Sequence, residues 1–163
     1  MINILQTKLI DYTVRLIEEK DFQALYELEK NNIKYFNYTK ETPDYNSIIS
    51  EVYELPPNKT LEDKYFIGFF KDNELIGVMD LIDGYPNNQT YFIGLFMLDI
   101  KYQNKGIGSY IIKTLISHTH KHIRLGCLSN NKEGYAFWSH LGFKDINTVY
   151  NKEKDWEIIV MER

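Results

Sequence analysis

Two closely spaced glycines separate an apolar run from a helical pattern in Leu98-Asp99-Ile100-Lys101-Tyr102-Gln103-Asn104-Lys105-Gly106-Ile107-Gly108-Ser109. The preceding run, residues 91–98, is typical of a strand that is covered on both faces, and residues 109–118 follow it with apolar residues at helical spacing. The first N–H groups of a helix have no partner within it, and glycine leaves them open to an anion. This stretch therefore predicts a phosphate-binding loop, suited to a pyrophosphate, without identifying the ligand.

Two common phosphate-binding motifs do not fit this loop. The P-loop pattern G-x-x-x-x-G-K-[ST] occurs nowhere in the chain. The dinucleotide fingerprint requires a small residue three positions after Gly108, where Ile111 stands. That fingerprint also belongs to an opening βαβ unit, whereas several predicted strands precede this loop.

The remaining patterns predict a mixed α/β chain with a largely antiparallel sheet, in the order β-α-α-β-β-β-α-β-α-β-β. A strand over 12–17 leads into a helix that begins near Phe22, and a helix over 45–55 is stopped by Pro56 and Pro57. Further strands are predicted over residues 65–71, 75–82, 91–98, 123–128, 143–150 and 156–161, and further helices over 109–118 and 132–141. Residues 31–43 show no clear period and are expected to form a mobile segment beside the substrate.

Composition limits the classes of protein that this chain can represent. Its 163 residues suit one domain, and 44% hydrophobic residues supply a core without disulfides or metals. A net charge of −4 without a Lys/Arg run argues against a nucleic-acid partner. The longest uncharged apolar stretch, residues 91–98, is too short to span a membrane. No apolar signal segment begins the chain, so a cytoplasmic location is expected.

A family resemblance joins the glycine loop to a second landmark. The hexapeptide 103–108 matches [QR]-x-x-G-x-[GA], which is motif A of the GNAT superfamily of acetyl-CoA-dependent N-acetyltransferases. The second landmark of that family, N-x-x-[AG] followed by an aromatic pair and G-F, is matched by residues 131–134, 137–138 and 142–143. Residues 14–22 are similar to the family's first strand and helix entry. The chain thus resembles GNAT proteins over nearly its whole length.

The resemblance implies a fold and a co-substrate. It predicts one N-acetyltransferase domain over residues 1–163, with a GNAT-like α+β fold. That fold has a mixed, largely antiparallel sheet of six to seven strands, helices on both faces and splayed central strands. It implies acetyl-CoA as the co-substrate, with no metal.

The resemblance also implies roles for individual residues. The backbone N–H of Leu98 would face the thioester carbonyl, and Asn131 would contact the pantetheine arm. Phe137 and Trp138 would line the pantetheine slot, although packing of their helix on the sheet explains them equally well. The other residues implied in CoA binding are Met97 beside the slot and, around the pyrophosphate, Gln103, Asn104, Lys105, Gly106, Ile107, Gly108 and Ser109.

The general acid departs from the family pattern. Trp138 stands where many members have a tyrosine that protonates the departing thiolate, and an indole N–H is not an acid near neutral pH. Tyr135 has the nearest hydroxyl in sequence and is one alternative. The other is that the thiolate leaves without a side-chain acid.

The general base is equally open, because residues 92–97 contain no carboxylate. The remaining carboxylates expected near the cleft are Asp80, Asp83 and Asp99. Asp80 stands in an apolar run, so it is either functional, as a substrate-binding group or a base, or placed on a solvated face of the sheet. A chain of water molecules is a further route for the proton.

The histidines and the cysteine suggest no separate chemistry. His118, His120 and His122 are closely spaced, but no acidic or cysteine partner follows at ligand spacing, so no metal is expected. Cys127, the single cysteine, stands in the predicted apolar strand beside Gly126 and is expected to be a small core residue rather than a nucleophile. The reaction that the resemblance implies, direct attack in a ternary complex, needs no acyl-enzyme.

The sequence and the resemblance leave two hypotheses for the function. The first is transfer of acetyl from acetyl-CoA to a primary amine of a small molecule or peptide. The alternative is a non-catalytic module that binds and senses acyl-CoA, which the Trp138 substitution and the missing strand carboxylate keep open. The sequence also leaves open whether the protein forms a homodimer.

Overall fold

The chain forms seven strands and six α-helices, and the computed structural model describes all of residues 1–163. The strands are β1 (Thr13–Leu16), β2 (Lys64–Lys71), β3 (Glu74–Asp83), β4 (Thr90–Leu98), β5 (His122–Leu128), β6 (Lys144–Asn151) and β7 (Trp156–Glu162). The helices are α1 (Ile2–Lys8), α2 (Phe22–Asn31), α3 (Ile33–Thr39), α4 (Tyr45–Glu51), α5 (Ile107–Ser117) and α6 (Lys132–His140). None of the helices is both long and apolar enough to cross a membrane.

All seven strands form one sheet, in the order β1-β2-β3-β4-β5-β7-β6. Only β4 and β5 pair in parallel, because α5 connects them as a crossover, and every other pair is antiparallel. The parallel pairing runs from Thr90 opposite His122 to Ile93 opposite Leu125 and stops there. The predicted mixed sheet with splayed central strands is therefore confirmed.

Helices cover both faces of the sheet, as predicted. On one face α1, α5 and α6 pack over a large apolar cluster that includes Ile112, Leu115 and Met79. On the other face α2 and α4 pack over a smaller cluster that includes Leu25, Ile48 and Val78. On β3, Val78 contributes to the smaller cluster and Met79 and Leu81 to the larger one, as the period of a strand requires. An extra residue at Ile76, where the register with β2 shifts, puts Ile76 in the larger cluster as well.

The structure differs from the sequence analysis at three helices. The sequence pattern did not indicate α1, whose only buried residue is Leu5. The mobile segment expected over 31–43 contains α3, and α4 ends at Glu51 rather than at residue 55. Short helices of this kind depend on tertiary packing rather than on their own propensity, so their local patterns are weak.

We expect α1 to contribute to stability although it is short. Leu5 is fully buried in the larger cluster, so Leu5→Ala should lower the free energy of unfolding by about 2–5 kcal/mol. The control Ile4→Ala changes a neighbour that is 37% exposed and should cost about 0.5 kcal/mol. Urea unfolding measures both variants, and equal effects would contradict the docking of α1 on the core.

Candidate functional site

A cleft of about 1030 Å³ opens where β4 and β5 separate. Parallel strands whose pairing ends leave a gap between their carboxyl ends, and α5 begins beside this gap. The predicted site residues that line the cleft are Met97, Leu98, Gln103, Asn104, Gly106, Gly108, Ser109, Asn131, Phe137 and Trp138. Those that do not line it are Asp80, Lys105, Ile107 and Tyr135.

The glycine loop presents unpaired backbone N–H groups. No backbone N–H of residues 103–109 donates a hydrogen bond to another group of the chain, and Gly106 caps α5 without a side-chain bond. Asn104 and Gly106 have φ values of 57° and 79°. These two left-handed residues bend the loop so that its amides form a concave surface. A Cβ at Gly106 would meet nothing within 4 Å, so the space before these amides is open to an anion.

The carbonyl end of β4 is held by two side-chain amides. Gln103 Nε2 donates to the Leu98 carbonyl oxygen at 2.8 Å, and Asn32 Nδ2 donates to the same oxygen at 3.2 Å. Gln103 Nε2 also contacts Asn32 Oδ1 at 2.7 Å. These bonds fix the glycine loop to the strand end and to the residue that follows α2. Sequence reasoning missed Asn32, although it continues the buried positions of α2 at helical spacing.

Two backbone N–H groups of β4 point toward the gap. The next residue, Asp99, donates its N–H to Ile76 on the β3 side at 2.9 Å. Successive residues of a strand point their N–H groups to opposite sides, so those of Leu98 and Phe96 face the side of β5. Because β4 and β5 no longer pair there, both N–H groups are available to a bound molecule.

The start of α6 and its aromatic residues form the opposite wall. Asn131 Oδ1 accepts the N–H of Gly134 at 2.8 Å and so caps α6; the residue lines the cleft, and its Nδ2 makes no hydrogen bond within the protein. Phe137 stacks on Phe96 across the gap, with ring centres 6.2 Å apart. Trp138 is buried against Phe137 and Phe143. Its ring therefore both packs in the core and lines the cleft.

Several candidate residues lie elsewhere. Tyr135 donates its hydroxyl to Asp145 on β6 at 3.1 Å, which turns it away from the cleft. Cys127 lines the cleft, but burial and then Asp145 raise the pKa of its thiol to about 11, so it stays protonated at neutral pH. His118 follows α5, and its ring Nδ1 hydrogen-bonds the Thr114 carbonyl oxygen of that helix at 2.9 Å. No group of three or more potential metal ligands occurs in the structure.

Helix α3 lies over the cleft, and contacts with the β6–β7 hairpin and with the loop before α6 hold its carboxyl end in place. Trp156 Nε1 donates to the Thr39 carbonyl oxygen at 2.9 Å, and Lys40 pairs with Asp155 at 3.0 Å. Asn130 Nδ2 donates to the carbonyl oxygen of Tyr38 at 3.0 Å. The helix thus bridges α2 to the β6–β7 hairpin. It places two tyrosines, Tyr35 and Tyr38, in the cleft wall.

Asp80 lies directly behind the cleft wall rather than on a solvated face. Its side chain is 13% exposed, and its Oδ2 accepts a bond from Lys64 Nζ at 2.9 Å. The neighbouring strand carries an extra residue at Gly94, where the register between β3 and β4 shifts. A Cβ at Gly94 would lie 2.6 Å from Asp80 Oδ2, so the carboxylate occupies the space that a side chain there would need. Asp83 pairs with Lys121, and Asp99 caps the turn after β4.

Two further carboxyl groups on this side were not found from the sequence. Glu29 on α2 is fully buried, and neither of its carboxyl oxygens has a hydrogen-bond partner. Burial and then the charge of Glu51 raise the pKa of Glu29 to about 9. Burial, followed by Glu54 and Asp80, raises the pKa of Glu51 on α4 to about 7. The available signal was an acidic residue beside Leu28 on the apolar stripe of α2.

Comparison with known proteins connects this geometry to a family. A family model described as "Acetyltransferase (GNAT) family" matches residues 22–143. The curated proteins give no match to the chain.

Solved structures share the fold at low sequence identity. An acetyltransferase from Thermus thermophilus superposes with a TM-score of 0.75 at 17% identity, covering 93% of this chain and 96% of that one. The ribosomal-protein-S18-alanine N-acetyltransferase from Escherichia coli gives 0.64 at 15% identity, with 93% and 92% covered. The PaiA N-acetyltransferase from Thermoplasma acidophilum, in complex with coenzyme A, gives 0.64 at 22% identity, with 93% and 98% covered.

We expect Glu29 to make the folded protein less stable as the pH rises. Its pKa is about 9 in the folded state against an ordinary 4.5, so between these values the folded state holds a proton that the unfolded state releases. The free energy of unfolding therefore falls as the pH rises through that window. In Glu29→Gln this fall should be smaller, because the group that releases the proton is absent. Thermal melts should show the variant several degrees more stable than the wild type at pH 8, with a smaller difference at pH 5.

The matched control is Glu27→Gln on the same helix, where the carboxylate is half-exposed and pairs with Lys30. This variant should keep the pH dependence of the wild type. The same pH dependence in Glu29→Gln would show that Glu29 is ionised in the folded protein.

Proposed function

The chain belongs to the acetyltransferase (GNAT) family, and we propose that it transfers acetyl from acetyl-CoA to a primary amine of a small molecule or peptide. The amine attacks directly within a ternary complex. Residues 1–163 would form a single N-acetyltransferase domain. The observation that carries the proposal is one cleft that joins a loop of unpaired N–H groups to a gap between two parallel strands.

The residues present fit CoA. Unpaired N–H groups over 103–109, at the positive end of α5, suit the pyrophosphate. The gap between β4 and β5 suits the pantetheine arm, and Asn131 Nδ2 on the opposite wall is available to it. The thioester would then lie beside the N–H groups of Phe96 and Leu98.

These two strand N–H groups support the transfer step. Attack of an amine on the thioester carbonyl places negative charge on its oxygen, and a preorganised N–H donor stabilises that charge by a few kcal/mol. We assign this role to the backbone N–H of Leu98. Because Tyr135 is turned away, the thiolate would leave without a side-chain acid; its sulfur takes a proton from the amine nitrogen.

The acceptor amine would enter from the side covered by α3. Aromatic side chains line this part of the cleft: Tyr35, Tyr38, Tyr85 and Trp156. The charged residues that line it, Lys34, Arg124 and Glu133, are all ion-paired. This surface suits an amine carried on an apolar or aromatic body.

Thiol release from acetyl-CoA tests the reaction. The purified protein is mixed with spermidine, kanamycin, lysine or a peptide with a free N-terminus, and free thiol and acetylated product are both measured. Transfer to at least one of these amines is expected. Binding of acetyl-CoA without transfer to any amine would instead identify a CoA-binding module.

We expect Gly108→Val to weaken CoA binding in a folded protein. A Cβ at Gly108 would contact Leu98 Cδ1 and Phe137 at 3.5 Å, so the additional methyl groups of valine would project between the two walls of the cleft. The loss of affinity should be about tenfold or more, which corresponds to about 1.4 kcal/mol. Calorimetric titration of CoA, beside a thermal melt, measures it.

Ile116→Val on the same helix serves as control, because Ile116 packs on the core and does not line the cleft. Its affinity for CoA should equal that of the wild type. A folded Gly108→Val protein with unchanged affinity would remove the glycine loop from the binding site.

A further inference from the structure

Three carboxyl groups from three elements lie together behind the cleft. Glu29 on α2, Glu51 on α4 and Asp80 on β3 form this group, named here the carboxyl cluster. Asp80 raises the pKa of Glu51, and Glu51 raises that of Glu29, so the three groups influence one another in a low-dielectric interior. Lys64 is the cation of this region; its side chain is 2% exposed and bonds Asp80 and the Glu54 carbonyl oxygen.

The cluster contains acceptor atoms with no partner. Both carboxyl oxygens of Glu29 and Oδ1 of Asp80 are buried without a hydrogen bond. Leaving such groups unpaired costs free energy, and proteins keep them where they serve a purpose.

Two features connect the cluster to the cleft. Gly94 is exposed in the cleft wall, and the Asp80 carboxylate occupies the space above it. Tyr35 lines the cleft, and burial and then the charges of Glu51 and Glu29 raise the pKa of its hydroxyl. Only Gly94, which has no side chain, thus separates the Asp80 carboxylate from a molecule bound in the cleft.

We propose that the carboxyl cluster takes up the proton that the acceptor ammonium must lose before it attacks the thioester. Asp80 is the proton acceptor, and Glu51 and Glu29 are positioning residues that act through it. This inference rests on the proposed acetyl transfer. The base of this proposal is on β3, because residues 92–97 of β4 carry no carboxylate.

The protons balance over one turnover. The ammonium gives one proton to Asp80, its nitrogen forms the bond to the carbonyl carbon, and the carbon–sulfur bond breaks. The second proton passes from nitrogen to sulfur, which yields free CoA thiol and the acetylated amine. Asp80 then releases its proton to water.

The surrounding charges adjust the basicity of the cluster in opposite directions. Burial raises the pKa of Asp80, and the Lys64 ammonium, which donates to its Oδ2, opposes that rise and favours the ionised form. Glu54 and Glu41 raise the pKa of Glu51, while Lys64 lowers it. A buried carboxylate whose raised pKa is offset by a neighbouring cation is suited to accept a proton from an ammonium.

Acceptors of different basicity provide the test. Hydroxylamine is neutral at pH 7 and needs no base, whereas the panel amine that the wild type acetylates fastest is an ammonium. Asp80→Asn should lower kcat/KM for the ammonium about 100-fold or more and for hydroxylamine only a few-fold. Glu51→Gln removes a like charge, so the acidic limb of the pH–rate profile should move to lower pH. Glu62→Gln changes an exposed carboxylate that does not act on the pKa of any member of the cluster, and it should change neither quantity.

Two further measurements keep the result interpretable. Asp80→Asn leaves the buried Lys64 with one partner fewer, so the double variant Asp80→Asn/Lys64→Met is compared and should show the same selective loss. Carbon-13 NMR titration of wild-type glutamate carboxyl groups should show resonances, assigned by Glu29→Gln and Glu51→Gln, that titrate well above the ordinary range. This measurement needs no acceptor.

The outcomes separate this inference from the proposed function. Equal losses for both acceptors, no loss at all, or carboxyl groups that all titrate in the ordinary acid range would overturn the cluster as proton acceptor. Absence of transfer by the wild type to hydroxylamine and to every panel amine would overturn the proposed function itself.

Discussion

The early end of the pairing between β4 and β5 is the constraint on which the rest of the structure depends. Parallel strands require a crossover, so α5 must begin at the carboxyl end of β4 and return beside β5. Because pairing stops at Ile93 and Leu125, the unpaired N–H groups of the strand and those of the helix start border the same gap. A fold requirement and a binding requirement are thereby met at one place.

Side-chain amides compensate for the hydrogen bonds that the strands give up. The Leu98 carbonyl lost its partner strand, and the amides of Gln103 and Asn32 replace that partner. Both donors also set the position of the glycine loop relative to α2. On the far side, α3 is attached to the β6–β7 hairpin through Thr39 and Trp156, which keeps the gap covered from that face.

The buried carboxyl groups beside this gap lower the free energy of unfolding, and the apolar core offsets that loss. Burial and mutual repulsion move the pKa of Glu51 to about 7 and that of Glu29 to about 9, into a range where protons are exchanged near neutral pH. Perturbed groups of this kind concentrate at functional sites. Asp80, one of the charges that raise the pKa of Glu51, lies behind Gly94, the one position of β4 where a missing side chain lets it approach the cleft.

The sequence by itself determined the features that depend on neighbouring residues. The apolar run of β4, the glycine loop and the stripe of α5 are each local, so their order predicted the mixed sheet and the anion-binding helix start. Only the tertiary structure decided which distant residues meet. Asn32 reaches Leu98, Asp80 fills the space over Gly94, and α3 forms because the sheet and the hairpin hold it. These contacts join residues far apart in the chain, and no local period records such a pairing.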